Sequence, residues 1–347
     1  MAYTTINKST EHFNTKLYTG NASTNALTGV GFQPDLVWLK SRSFAQNHEM
    51  YDAVRTATKR IYPNGSYAED TNSTGLTAFN SDGFTLGSSN TINKSGDTFA
   101  SWNWKAGGGQ GSSNTDGSIN TTYTSVNTTA GFSISKYTGT GSTGTIGHGL
   151  GAEPEVIIVK KLNSSESWFS YHKPLGNTGR LVLNATDAVA TDSGYWNSTT
   201  PTSSVFSVTS NGSNNASNDI YMAYCFAPKT GYSKFGSYTG NGSTDGTFVY
   251  TGFKPAFLMW KRTNGTSDWH IVDNKRDTGN ETDVNLSPNS STAESIGNGY
   301  NGVDFLSNGI KVRQGNTDVN GSGSTYIYMA FAEAPLVGSN NIPCTAR

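Results

Sequence analysis

GFKPAFLMWKRTNGTSDWHIVDNKR, residues 252–276, is one of three versions of the same block in this chain of 347 residues. The others are GFQPDLVWLKSRSFAQNHEMYDAVR at 31–55 and GAEPEVIIVKKLNSSESWFSYHKPL at 151–175. Counting starts from the proline of each copy: Pro34, Pro154 or Pro255. A glycine stands three places before it, and a lysine (Lys40, Lys160, Lys261) six after. His48, Trp168 or Trp269 stands fourteen after, and no gap is needed. Fixed-offset self-similarity means three copies of one folding unit, not one large domain with a unique active site.

Moving outward from the block, residues 36–40, 156–160 and 257–261 are short apolar runs with β-branched or aromatic members. They read as buried strands, each with its proline just before it, where a missing N–H does least harm. Second strands are predicted at 48–54, 168–172 and 269–272. A polar, variable region follows and closes with Asp82-Gly83 in copy one and Asn308-Gly309 in copy three, dipeptides suited to a type I′ hairpin turn. The last strand reads FASWNW (99–104), YMAYCF (221–226) and YMAFAE (328–333). Alternation puts Trp102, Tyr224 or Phe331 on a core face. The opposite face is small: Ser101, Ala223 or Ala330, then Asn103, Cys225 or Ala332, so that another layer can approach closely. Cys225 therefore reads as a packed thiol. The second cysteine, Cys344, completes neither a disulfide framework nor a zinc spacing.

No window sustains a helical period with caps. The expected fold is all-β, with three tandem antiparallel β-sandwich repeats of lectin-like or jelly-roll-like type at 1–108, 131–229 and 230–335. A Gly/Ser/Thr-rich linker or arm at 109–130 separates the first two repeats, and a tail follows at 336–347. Copies two and three, joined by residues 227–231, are expected to pack rigidly, with copy one set off by the longer connection.

Charged residues are 14% of the chain and the net charge is -1, so the electrostatic footprint of a nucleic-acid binder is missing. Forty glycines among abundant Ser, Thr and Asn suit short strands and tight turns, and 12% aromatic residues argue against disorder. The apolar runs are too short to span a bilayer, and the N-terminus lacks a signal-peptide run, which predicts synthesis in the cytoplasm without membrane insertion.

Candidate binding residues come from the block itself. Asp52 and Arg55 recur as Asp273 and Arg276, while copy two has His172 and Leu175 at these positions. An Arg fork on a carboxylate reads as a salt bridge pinning a loop, and could also grip sugar hydroxyls. His48, Trp168 and Trp269, with Tyr171 and His172 nearby, could stack on or bond to a sugar ring, or pack in a core or domain interface. Trp38 and Trp260 stand four and five places after their prolines and must face opposite ways. Glycan hydrolysis needs two carboxylates ~5–10 Å apart across a cleft, and no such recurring pair is seen. Nor is there a metal-ligand spacing, a catalytic triad order or a phosphate loop, so no catalytic residue, metal or cofactor is expected.

The pattern of YTGNGS, GFKPAFLMWKR, the connector DGSINTTYTSVNTTAGFSISKYTG and the terminal YIYMAFAEAP resembles a repeat module of tailed-phage virion structural proteins, abundant in marine and cyanobacterial phages. The resemblance runs from about Phe13 to the C-terminus. It implies a non-enzymatic exterior virion protein of tail-fibre, appendage or knob type. Its expected partners are other virion proteins and host-surface glycan, with a homo-oligomer, a trimer, as the assembly. A capsid decoration or cement protein is the alternative, and a glycan-degrading enzyme a third.

Overall fold

The computed structural model describes residues 3–295 and 302–343; Cys344 lies outside them. The chain is all-β, with several antiparallel sheets. No helix among the described residues exceeds four residues.

Each copy contributes the same four strands in the same spatial order. In copy one they run Phe13–Thr19, Thr98–Trp104, Leu36–Ser41 and Glu49–Asp52. In copy three they are Ser233–Thr239, Thr325–Pro335, Phe253–Arg262 and Trp269–Asp273. In copy two Phe132–Thr138, Ile220–Phe226, Val156–Lys161 and Phe169–His172 sit inside a seven-stranded sheet, because Thr121–Asn127 adds a strand beside Phe132–Thr138 and two short strands extend the other edge. A smaller sheet accompanies each four-strand set; in copy one it is Asn25–Thr28, Gly83–Leu86 and Leu76–Asn80.

Alternation gives each four-strand sheet two apolar faces. One face packs on the small sheet of its own copy, forming separate clusters around Leu39 and Phe84, Val159 and Phe206, and Leu258 and Ile310. The other faces of all three copies share one core. Its centre is Trp104, Phe226 and Phe331, whose ring centroids lie 5.7–6.4 Å apart. These residues hold equivalent positions: Trp104 pairs with Leu36, Phe226 with Val156 and Phe331 with Phe257, two places after each proline. The copies therefore surround a pseudo-threefold axis. Copy one is not set off by its connection.

The ladder also corrects the alignment of the last strand. The counterpart of Phe99 and Tyr221 is Tyr326, not Tyr328, since Tyr18, Tyr137 and Tyr238 pair with these three. A two-residue slip keeps every side chain on its predicted face but changes its level. Met329, not Phe331, occupies the slot of Trp102 and Tyr224. Trp38 faces the shared core and Trp260 the core of its own copy. Pro255 lies inside its strand, where the register shifts on either side of it, as expected for a residue that cannot donate to the ladder.

The Asp-Gly and Asn-Gly hairpins differ from expectation. Ser81-Asp82 and Ser307-Asn308 form the turns, and Asn80 pairs with Gly83 and Leu306 with Gly309. The glycines serve close approach instead: a Cβ on Gly83 would lie 2.0 Å from Leu27 O, and one on Gly309 2.3 Å from Val249 O.

The connection between copies one and two is ordered. The buried Asp35 carboxylate accepts from Ala106 N (2.7 Å), Gly108 N (3.0 Å) and Gly109 N (2.9 Å). Gln110 Nε2 donates to Val54 O at 3.1 Å.

Candidate functional site

All nine candidate residues of the block are buried. Eight of them face a neighbouring copy or the ion pair beside it. The ninth, Tyr171, packs edge-on to Trp196 inside copy two. None offers a face to a sugar in the folded chain.

The position fourteen after the proline is a donor in every copy. Trp168 Nε1 donates to Tyr62 O of copy one at 2.9 Å, and Trp269 Nε1 to Val182 O of copy two at 3.0 Å. His48 Nε2 reaches Ser287 O of copy three at 3.0 Å. Its Nδ1 accepts from Trp38 Nε1 at 2.9 Å, which fixes the proton on Nε2. The imidazole thus does the work of an indole N–H. Burial, with Lys40 nearby, keeps it neutral by pushing its pKa well below the ordinary value.

Backbone bonds repeat the same cycle. Glu166 N donates to Ser66 O, Ser267 N to Thr186 O and Gln46 N to Ser291 O, at 2.7–3.0 Å. In return Glu69 N donates to Leu162 O, Val189 N to Thr263 O and Glu294 N to Arg42 O, at 2.8–2.9 Å. Each set links copy two to one, three to two and one to three, so the ring closes within a single chain. Lys160 Nζ adds a bond to Ser66 O (3.1 Å) and Lys261 Nζ one to Thr186 O (3.1 Å). Burial lowers the pKa of Lys40, Lys160 and Lys261 alike to about 8.

The Asp-x-x-Arg pairs lie at two of the three junctions. Arg55 Nε contacts Asp52 Oδ2 at 2.5 Å and its Nη1 reaches Glu69 at 3.2 Å. Arg276 repeats this with Asp273 (2.5 Å) and Glu294 (3.1 Å). Each aspartate also accepts from the next copy's last strand: Tyr224 Oη donates to Asp52 Oδ2 at 2.7 Å and Trp102 Nε1 to Asp273 Oδ2 at 3.0 Å. At the third junction His172, Leu175 and Val189 replace Asp, Arg and Glu, and Met329 replaces the donor. There His172 Nε2 lies 3.0 Å from Tyr328 O, and a cavity of about 10 Å³ lies beside His172 and Met329.

Sequence reasoning missed a second repeated device. Tyr18, Tyr137 and Tyr238 donate to Ile92 O, Asn214 O and Val319 O at 2.6–2.7 Å. The next residues in chain order, Asn93, Asn215 and Asn320, are fully buried, and their amide nitrogens donate to Ser23 O, Ser142 O and Ser243 O in the loop that follows each tyrosine's strand, at 2.6–2.8 Å. The signal was an asparagine six places before Phe99, Tyr221 and Tyr326.

Cys225 is buried, and burial raises its thiol pKa, so it is held as the inert thiol. No group of three His, Cys, Asp or Glu side chains among the described residues is placed to hold a metal ion.

The chain matches, over residues 8–335, the family described as Domain of unknown function (DUF7483), and belongs to it. A single family match therefore spans all three copies. No curated protein matches the chain.

Proposed function

We propose that this member of the DUF7483 family is a non-enzymatic exterior structural protein of a tailed-phage virion, of fibre, appendage or knob type, built as three tandem β-sandwich repeats. The observation that carries this reading is the closed ring. The recurring chemistry of the block is turned inward to join the copies, which suits a rigid building piece. One chain supplies the three-fold object that three subunits would otherwise make, so trimerisation is not required for it.

Contact with a partner or a host glycan then falls to the outer loops and edges. Among the described residues Tyr67, Phe248 and Tyr250 are the exposed large aromatics; the last two alternate along the strand Phe248–Tyr250, with Lys234 Nζ 5.2 Å from the Tyr250 ring centroid. Their counterparts in copy one are Ala26 and Thr28, and in copy two Thr145 and Gly147. An exposed aromatic face with polar neighbours suits stacking on a sugar ring.

Locating the chain on the intact particle, by cryo-EM density or gold-labelled antibody, tests the proposal. Density at the tail or a distal appendage supports it. Density on the capsid lattice replaces it with a decoration role, and absence from the particle overturns both.

A further inference from the structure

The pseudo-threefold frame exposes one place where the copies differ in what covers a sheet edge. In copy two the strand Thr121–Asn127 lies antiparallel to Phe132–Thr138, pairing Ser125 with Ile134 and Tyr123 with Lys136. In copies one and three the equivalent strands, Phe13–Thr19 and Ser233–Thr239, each have a single neighbour among the described residues, Thr98–Trp104 and Thr325–Pro335; the copy-one edge is the one that opens on a trench.

The direction of its free groups follows from the ladder. Gly20 N donates to Asp97 O and Lys105 N to His12 O, both at 2.9 Å. Hydrogen-bonded pairs alternate along an antiparallel ladder, so the even-numbered residues of Phe13–Thr19 are bonded to Thr98–Trp104. The N–H and C=O groups of Thr15 and Leu17 therefore point to the open edge. Their counterparts are Ile134 and Lys136, the residues that the added strand pairs in copy two.

A trench of about 530 Å³ runs along this edge, lined by Thr15, Leu17 and Gly29 and by Lys8, Lys16 and Lys275, the last from copy three. Thr15 Oγ1 is buried there without a hydrogen-bond partner among the described residues. No described carboxylate lines the trench. Nearby, Asp82 is engaged by Gly29 N (2.9 Å) and Gly31 N (2.7 Å), and exposed Glu11 lies 3.5 Å from Lys8.

We propose that the copy-one edge is an acceptor for an extended strand from another protein, one bearing carboxylates for the three lysines. The chain shows the docking geometry on itself: the same edge in copy two takes a hydroxyl-rich strand in antiparallel register. Main-chain bonds to Thr15 and Leu17 supply the affinity, and the lysines select an acidic occupant. The inference stands apart from the virion reading, since it rests only on edge geometry and charge.

The test uses the full chain carrying at its N-terminus, through a flexible Gly/Ser linker, the strand Thr-Glu-Val-Glu-Thr-Glu-Val. A short tether gives an effective concentration on the order of millimolar, so a weak intrinsic affinity is still read. The measured quantity is amide hydrogen exchange at Thr15 and Leu17. The acidic strand is expected to slow both at least tenfold, and Lys16→Glu with Lys275→Glu to abolish the protection. A matching strand with Lys in place of Glu is expected to give none. No protection from the acidic strand overturns the proposal, as does equal protection from the basic one. Protection that survives the double lysine substitution refutes the charge selection.

Discussion

Asp52→Ala tests whether the three copies fold as one unit. The carboxylate is fully buried and holds both Arg55 and Tyr224 Oη. Removing it leaves the buried guanidinium with Glu69 at 3.2 Å as its remaining carboxylate. Breaking a buried pair by deleting one partner costs about 3–5 kcal/mol. A chain of 347 residues melting as one unit has an unfolding entropy of about 0.7 kcal/mol/K, so Tm falls by about 4–7 °C in a single transition. If copy one melted alone, the same loss would move only its own transition, and by about three times as much. Differential scanning calorimetry separates the outcomes. Tyr224→Phe removes only the donor, and a hydrogen bond to a charged group is worth about 1.5–3 kcal/mol. The Asp52/Tyr224 double-mutant cycle should return a coupling in that range between copies 172 positions apart in sequence. Split transitions with a coupling below about 0.5 kcal/mol, the ordinary limit of additivity, would refute the closed-ring reasoning.

Three further outcomes are expected. Burial lowers His172 and His270 to about 4, so between pH 6.5 and 4 the unfolded chain binds protons that the fold refuses; stability falls as pH drops through that window, by about 3 kcal/mol per histidine, and His172→Gln flattens the slope in urea titrations. The lysines act at alkaline pH: with folded values of about 8 against about 10.4 unfolded, stability rises between about pH 8 and 10.4, and Lys160→Met reduces the rise. Replacing Phe248 and Tyr250 together by Ala should change stability by about 0.5 kcal/mol or less, as for surface sites, while abolishing retention on immobilised host polysaccharide; unchanged retention would remove the glycan role from this strand.

Strands and their faces were legible because a period of two survives errors of position. The slip from Tyr328 to Tyr326 moved every level of the last strand, yet Phe331 still faces the shared core. Levels were missed, since they depend on which residue a partner strand opposes, and in copy three the Tyr-Met-Ala match at Tyr328 competes with the asparagine offset that points to Tyr326. The ring escaped for a similar reason. Most bonds in it join an atom of one copy to a backbone carbonyl of another, such as Trp168 Nε1 to Tyr62 O, and carbonyls leave no mark in a sequence. Asp35 escaped because its three partners are backbone amides of a glycine stretch that composition alone assigns to a flexible linker. Asn93, Asn215 and Asn320 were readable at a constant offset, hidden only by the many asparagines around them.

The junction that lacks the Asp-x-x-Arg pair shows why the losses come together. A buried carboxylate needs its arginine, and removing either alone leaves an uncompensated charge; replacing the whole group by neutral side chains of similar volume can be close to neutral in stability. Copy two has made the whole change: His172, Leu175 and Val189 stand for Asp, Arg and Glu, and across the interface Met329 stands where Trp102 and Tyr224 offer a donor. The junction built on His172 is thereby consistent within itself and mismatched with the other two, which share one chemistry. Seating Met329 against Asp52 would remove a charge-assisted bond of about 1.5–3 kcal/mol. Three similar copies on one chain could otherwise close in the wrong order, or with copies of a second chain. The divergence of copy two gives the ring a unique order, with the donor on one face and the acceptor on the next matched junction by junction.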